Sequence, residues 1–239
     1  MKNDGLGDRM KRYEQVSSPC LVRRVPVVIR VDGKAFHTIA KLRGWTKPFD
    51  QDIADGMVQA TKFVMTKLQG CKVAYTQSDE VTFVLTDYDT IETDAWFGYN
   101  VQKLCSVAAS LMSVAFNVNV PYQKAGAVAV FDARAFNVPD DEVANCLLWR
   151  MRDWKRNSLS LYARSFFSDK ELHGKSQADM HEMLHGIGKN WATDLTPQQK
   201  NGTFVYCDPQ THQVVVDSWI PATYEQAETL TTLVLPKRS

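Results

Sequence analysis

Two carboxylate-bearing turns stand where apolar runs of the chain begin or end. Asp32 and Gly33 close the first run, and Asp79 and Glu80 open a later one. Each pair alone is typical of an ordinary turn, because Asp and Gly are common turn residues. If the two runs are neighbours in one sheet, however, the carboxylates meet at one edge. Mg²⁺ takes such oxygen ligands together with substrate phosphates, so the pattern indicates metal-dependent nucleotidyl transfer.

The secondary structure predicted around these turns brings the two pairs of carboxylates together. Strand patterns cover residues 26–32, 72–76, 81–86 and 127–131, and helical spacing of apolar residues covers about 50–68 and 93–117. The order is β-α-β-β-α-β, the split βαβ or ferredoxin-like pattern, so the predicted fold class is α+β with an antiparallel sheet. In this topology the first strand pairs antiparallel with the third. Asp32 should therefore lie beside Asp79 and Glu80.

Two further expectations depend on the same topology. The fourth strand should end at the opposite edge, so we interpret Asp132 as structural and paired with Arg134. The chain turns sharply between Gly33 and Phe36, and free N–H groups in such a turn suit phosphate oxygens, helped by Lys34. The sequence lacks the Gly-x-x-x-x-Gly-Lys-Ser/Thr pattern, which excludes a P-loop NTPase.

The chain divides into two regions. Residues 1–138 hold the predicted catalytic core with a basic N-terminal segment. Residues 139–239 form a mainly helical extension that ends in short strands near 202–207 and 213–216. We expect the extension to pack on the core and to continue its sheet rather than to form an independent domain.

Composition and charge narrow the class of protein. The 239 residues carry a net charge of only +1 and no uninterrupted apolar run of the roughly 20 residues that a membrane helix needs. The five cysteines are spread without a Cys-x-x-Cys, which is typical of reduced thiols, so we expect a cytoplasmic chain without a membrane anchor. His181 and His185 have helical spacing but no evident third ligand, so a zinc site is not predicted.

Several ordered motifs resemble the tRNA-histidine guanylyltransferase superfamily. The matching segments are residues 28–37 (VIRVDGKAFH), 47–50 (KPFD), 74–80 (AYTQSDE), 96–97 with Lys103, and 131–134 (FDAR). The agreement runs in order from about residue 9 to residue 156, and the order makes it specific. The resemblance implies a polymerase-type palm that adds nucleotides to an RNA 5′ end in the 3′-to-5′ direction.

The resemblance also implies roles for the matched residues. Asp32, Asp79 and Glu80 would be catalytic: Asp32, the Gly33 carbonyl and Asp79 would bind two Mg²⁺ ions, and Glu80 would support the second ion. Trp45 would either stack on a base or belong to the core. The residues implied in nucleotide binding are Lys34, Ala35, Phe36, His37, Lys47, Asp50 and Ser78.

The implied partners are tRNA, ATP or GTP, and other NTPs, and family members are typically tetramers. RNA binding would involve Lys103 and a basic segment after Trp149 that otherwise reads as an exposed helix face. The residues of that segment are Arg150, Lys155, Arg156 and Asn157.

Departures from the family pattern point to one branch. Lys155 stands where the eukaryotic guanylyltransferases carry the histidine of a His-Ile-Asn-Asn motif, and residues 98–100 lack the basic character usual before Lys103. The chain thus resembles the guanylyltransferase-like branch, which repairs 5′-truncated tRNAs by templated addition. Three alternatives stay open: addition of one 5′ guanosine to histidine tRNA, a palm-type nucleotide cyclase, and an inactive RNA-binding protein.

Overall fold

The strands form one antiparallel sheet to which both regions of the chain contribute. The computed structural model describes residues 5–122, 125–217 and 224–236. The strands lie in the order β4-β1-β3-β2-β5-β6, and each neighbouring pair is antiparallel. Their bounds are Val27–Gly33 (β1), Cys71–Gln77 (β2), Glu80–Leu85 (β3), Phe131–Asn137 (β4), Thr203–Cys207 (β5) and Val214–Asp217 (β6).

Helices cover both faces of the sheet. Those of the first region are Leu6–Val16 (α1), Phe36–Arg43 (α2), Gln51–Met65 (α3) and Val101–Asn119 (α4). The second region adds Val143–Ala163 (α5), Asp169–Leu172 (α6), Gln177–Gly186 (α7), Trp191–Asp194 (α8), Pro197–Asn201 (α9) and Tyr224–Val234 (α10). The predicted β-α-β-β-α-β order and the α+β class are confirmed, since β1 pairs with both β3 and β4.

The alternation of apolar residues along β1 divides the core into two layers. Val27, Ile29 and Val31 pack in the cluster that includes α3 and α4. Val28 faces the other way, into the cluster that includes Leu147 of α5. Because successive side chains of a strand point to opposite faces, Asp32 lies on the α5 side of the sheet.

The fourth strand lies later in the chain than the sequence pattern predicts. Residues 127–131 read as a strand, but Ala125–Ala127 form a 3₁₀ turn and β4 begins at Phe131. Asn117 explains the shift, because its side-chain amide donates to the Ala129 carbonyl (2.7 Å) and accepts from the Ala129 N–H (3.0 Å). The apolar run is therefore a connection fixed to α4, and Asp132 belongs to the strand itself.

Helix α4 packs on the sheet, although its outer side is exposed. By length and composition α4 is, among the described residues, long and apolar enough to cross a membrane. Its inner residues Leu104, Ala108, Met112 and Phe116 are nevertheless buried in the core with the strands. A core helix meets the same criteria of length and composition, so they are weak support for a membrane span.

Candidate active site

The strand register places three carboxylates in one row across the sheet. Asp32 lies opposite Glu80 on β3 and opposite Asp132 on β4, and Glu80 lies opposite Gln77 on β2. Directly opposed residues of antiparallel strands share a face of the sheet, so all four side chains belong to the α5 side. Asp32 and Glu80 therefore meet as the sequence predicted. The expectation that Asp132 lies at the opposite edge is wrong, because β4 begins four residues later than predicted.

Asp79 occupies a two-residue hairpin turn beside the end of β1. The strands extend through Gln77 and Glu80, so only Ser78 and Asp79 form the turn. The Ser78 hydroxyl donates to Asp79 Oδ1 (2.8 Å), and the Gly33 N–H donates to the Asp79 carbonyl (3.0 Å). A Cβ at Gly33 would lie 2.9 Å from the Asp79 Cβ and 2.3 Å from the Phe36 ring. Only glycine allows β1 and the hairpin to approach this closely.

The surroundings of Asp79 disfavour its charged form. Burial raises the pKa of Asp79 to about 6, and the hydrogen bond from Ser78 opposes that shift. The neighbouring charges of Asp32 and Glu80 raise the pKa further. A carboxylate in this position gains stabilisation from any cation that binds beside it.

The donors at this edge suit a magnesium ion that also binds substrate. In the described part of the chain, no three His, Cys, Asp or Glu side chains are arranged to hold a metal ion on their own. Mg²⁺ does not require such a cluster, because it commonly takes one or two carboxylates and completes its shell with water and phosphate. Asp32 and Asp79, with the Gly33 carbonyl between them in the chain, are hard oxygen donors of that kind.

Glu80 is held differently from the other two carboxylates. Its Oε1 accepts from Arg150 Nε at 2.6 Å and its Oε2 accepts from Arg150 Nη2 at 2.7 Å. Both side chains are buried, at 11% and 9% exposure. Arg150 was expected at an RNA-binding surface, but its guanidinium lies inside the protein and is committed to Glu80.

A cavity of about 520 Å³ opens between this edge of the sheet and α5. Four carboxylates and two guanidinium groups line it: Asp32, Asp79, Glu80, Asp153, Arg150 and Arg164. A smaller cavity of about 110 Å³ lies next to it, beneath Phe49 and the first turn of α3. The two cavities are adjacent, because Gln77, Ser78, Trp154 and Leu161 line both of them.

The segment after Gly33 leads directly into helix α2. Ala35 has a left-handed backbone (φ 53°), and its carbonyl accepts the Thr38 N–H at 2.9 Å. The N–H groups of Phe36 and His37 belong to the first turn of α2 and have no acceptor within the helix. Lys34 and His37 have exposed side chains.

Several of the predicted nucleotide-binding side chains have structural contacts. The Phe36 ring packs against Trp45 (6.0 Å) and Phe116 (5.4 Å), so Trp45 belongs to an aromatic cluster of the core. The Asp50 carboxylate caps α3, because it accepts the N–H groups of Asp52 and Ile53. Lys47 is exposed.

The residues predicted to bind RNA are not all on one surface. Lys155, Arg156 and Asn157 are exposed on α5, and the last two contact Asp153. Lys103 lies at the start of α4, in the layer on the opposite face of the sheet, where its Nζ lies 5.6 Å from the centre of the Phe97 ring.

The sequence did not predict that the pairing of β1 with β4 places further polar residues on the α5 side of the sheet. Arg30 lies opposite Arg134, one row away from the carboxylates, and the Arg30 guanidinium lies 5.3 Å from the centre of the Trp149 ring. Asp132 and Arg134 do pair, as expected, at 3.6 Å. If the sequence pattern had predicted β4 at its observed position, it would have placed Asp132 and Arg134 on this face of the sheet.

Three comparisons with known proteins point to the same family. A family model described as "Thg1: tRNAHis guanylyltransferase" matches residues 7–139. A solved bacterial tRNA(His) guanylyltransferase (Thg1)-like protein in complex with ATP has a TM-score of 0.89 and 36% identity, covering 98% of this chain and 100% of that one. A probable tRNA(His) guanylyltransferase of Drosophila melanogaster is 30% identical over 218 residues, 82% of this chain and 71% of that protein.

The fold is α+β and palm-like, and the chain is an enzyme of the nucleotidyltransferase class. Within that class, the chain belongs to the tRNA(His) guanylyltransferase (Thg1) family. A second bacterial Thg1-like structure, in complex with GTP, is 34% identical with a TM-score of 0.80, and it covers 96% of this chain and 99% of that one.

The raised pKa of Asp79 predicts a pH-dependent effect on stability. Above pH 6 the carboxylate is charged in both the folded and the unfolded chain, and the fold destabilises that charge by about 3 kcal/mol for a pKa shift from 3.8 to about 6. Below pH 3.8 it is neutral in both states. Asp79→Asn should therefore raise the melting temperature of the metal-free protein at pH 8 and raise it much less near pH 4, as measured by calorimetry with a chelator present.

Asp89→Asn, at an exposed loop carboxylate paired with Lys72, is the control and should not raise the melting temperature at pH 8. An Asp79→Asn protein that melts at the wild-type temperature at pH 8 would contradict the assignment of a destabilised charge.

Proposed function

We propose that this protein adds nucleotides to the 5′ end of tRNA in the 3′-to-5′ direction, directed by a template, and so repairs 5′-truncated tRNAs. The observation that carries the proposal is the half-buried carboxylate of Asp79 beside Asp32, at the edge of a sheet in a chain of this family. The similarity to bacterial Thg1-like proteins in complex with ATP and with GTP supports nucleotide substrates.

The proposed reaction joins an NTP to an activated RNA end. The 3′-oxygen of the NTP forms a bond to the phosphorus at the RNA 5′ end, the bond from that phosphorus to its leaving group breaks, and the hydroxyl proton passes to water. Pyrophosphate is the leaving group of a 5′-triphosphate end. An end activated with ATP or GTP releases pyrophosphate in the activation step and a nucleoside monophosphate in the attack. Two Mg²⁺ ions, when bound, would neutralise phosphate charge and favour the deprotonated hydroxyl. Asp32, the Gly33 carbonyl and Asp79 would hold them.

The start of α2 would bind the triphosphate. The first-turn N–H groups of Phe36 and His37 and the left-handed backbone at Ala35 offer donors to phosphate oxygens, and Lys34 adds positive charge. The Phe36 ring is engaged in the core, so its contribution to binding is its backbone. Ser78, at the hairpin, would contact a phosphate. Lys47 and Asp50 would flank the activating nucleotide, with Asp50 also fixing the start of α3.

The exposed face of α5 would bind the tRNA backbone. Lys155, Arg156 and Asn157 lie on the helix that forms one wall of the acidic cavity, and Asn157 lines that cavity. Contacts of this kind add affinity without reading sequence, which suits an enzyme that acts on any tRNA lacking a 5′ nucleotide. Lys103 lies in the other layer of the fold and would reach the RNA from a different direction.

One observation leaves a second function to be tested, the addition of a single 5′ guanosine to histidine tRNA. The Drosophila relative carries that description. Lys155, in place of the family's histidine, favours the repair reaction instead.

A labelled-tRNA assay distinguishes the two functions. Purified protein with Mg²⁺ and all four NTPs should restore a tRNA that lacks its first nucleotide, whichever base the template calls for. Asp79→Ala should abolish the addition, with a loss of at least about 10³-fold, while the variant retains its circular dichroism spectrum and its tRNA affinity. Addition of guanosine alone, and only to histidine tRNA, would contradict the repair function and support the second one.

The RNA-binding role of α5 predicts a loss of tRNA affinity on removal of its charge. Lys155→Ala with Arg156→Ala should weaken tRNA binding about 10-fold or more at physiological salt and reduce the salt slope by about 2, since each cation replaces a counterion on the RNA. The KM for NTP should change by less than about twofold.

Lys170→Ala with Lys175→Ala removes the same charge from another exposed segment and is the matched control. An equal loss of tRNA affinity in both double variants, measured by filter binding, would mean that α5 has no specific part in RNA binding.

A further inference from the structure

Arg150 pairs with Glu80 but not with the neighbouring carboxylates of Asp32 and Asp79. We propose that Arg150 is a positioning residue that keeps Glu80 out of the coordination shell of the metal ions, so that Asp32 and Asp79 are the carboxylates left free to bind them. The inference rests on the proposed function, because it concerns the metal site of that reaction, and it assigns Glu80 a role other than that of ligand.

The geometry of the pair engages both carboxylate oxygens of Glu80. Arg150 Nε and Nη2 approach one carboxylate oxygen each, at 2.6 and 2.7 Å, which is the bidentate arrangement that makes arginine–carboxylate pairs directional. Both side chains are about nine-tenths buried, so water does not compete for these hydrogen bonds. Asp32 and Asp79 have no such partner among the described residues.

A second contact fixes Arg150 from the side of α5. Its Nη2 also donates to Asp153 Oδ2 at 3.1 Å, and its guanidinium lies 4.6 Å from the centre of the Trp149 ring. Asp153 lies on the same helix, and Arg150 therefore joins α5 to the strand that begins at the catalytic hairpin. A lysine could supply the charge at this position but not the planar fork.

The register shows what would happen without this pairing. Glu80 lies directly opposite Asp32 on the same face, and opposed residues have Cβ atoms only about 5 Å apart. A released Glu80 carboxylate would thus become a third oxygen donor near Asp32 and Asp79. Mg²⁺ sites that act on nucleotides keep few carboxylates, since the substrate phosphates supply the remaining ligands. Arg150 keeps the number of carboxylate ligands low, which leaves coordination positions for the phosphates of the nucleotide.

The test measures binding of Mn²⁺ alone, in the absence of nucleotide, by electron paramagnetic resonance of the free ion. Arg150→Met should bind Mn²⁺ at least about fivefold more tightly than the wild type, because Glu80 is released. Glu80→Gln should bind it within about twofold of the wild type, and Asp79→Asn should bind at least about fivefold more weakly. The double variant Arg150→Met, Glu80→Gln should lose the gain.

Glu80→Gln decides the question even if Arg150→Met does not fold, because it removes the charge at position 80 while keeping the side-chain shape and one acceptor oxygen for Arg150. If Glu80→Gln weakens Mn²⁺ binding as much as Asp79→Asn does, Glu80 is a ligand and the proposal is overturned. A folded Arg150→Met protein with wild-type Mn²⁺ affinity would overturn it as well. Failure of the wild type to extend tRNA would instead refute the proposed function, whatever the Mn²⁺ measurements give.

Discussion

Repulsion between carboxylates is the constraint on which this site depends. The antiparallel register of β4, β1 and β3 aligns Asp132, Asp32 and Glu80 in one row, and like charges on opposed residues destabilise a sheet. Arginine side chains neutralise two of these three negative charges: Arg134 pairs with Asp132, and Arg150 pairs with Glu80. Asp32 and the adjacent Asp79 keep their mutual repulsion, which adds to the effect of burial in raising the pKa of Asp79. A cation bound between the two carboxylates would be attracted by both of them. The repulsion that destabilises the metal-free fold therefore contributes to metal affinity.

The surrounding fold holds these charges in place on rigid elements. Gly33 lets the end of β1 approach the hairpin until its N–H reaches the Asp79 carbonyl, and the two-residue turn leaves Asp79 little freedom. Helix α5 completes the arrangement, since Arg150 neutralises Glu80 from its buried face and Lys155 and Arg156 lie on its exposed face. One helix thus connects the proposed chemistry with the proposed RNA-binding surface.

The parts of this arrangement that follow from local pattern could be predicted from the sequence. The apolar alternation of β1 to β3 gave their position to within one or two residues, and the order of elements was enough to bring Asp32 to Glu80. The position of β4 depends on hydrogen bonds from Asn117 to Ala129, which no local pattern reveals. Asp132 was misplaced for that reason. The burial of Arg150 was equally hidden, because its partner Glu80 is 70 residues away and the segment reads as an exposed basic helix.

The most direct measurement is a crystal structure with Mn²⁺ and a non-hydrolysable NTP, with the ions located by anomalous scattering. The account predicts ions bound to the carboxylates of Asp32 and Asp79 and to phosphate oxygens, with the fork between Arg150 and Glu80 unbroken. Ions bound elsewhere, or an ion that draws Glu80 away from Arg150 into its shell, would contradict it.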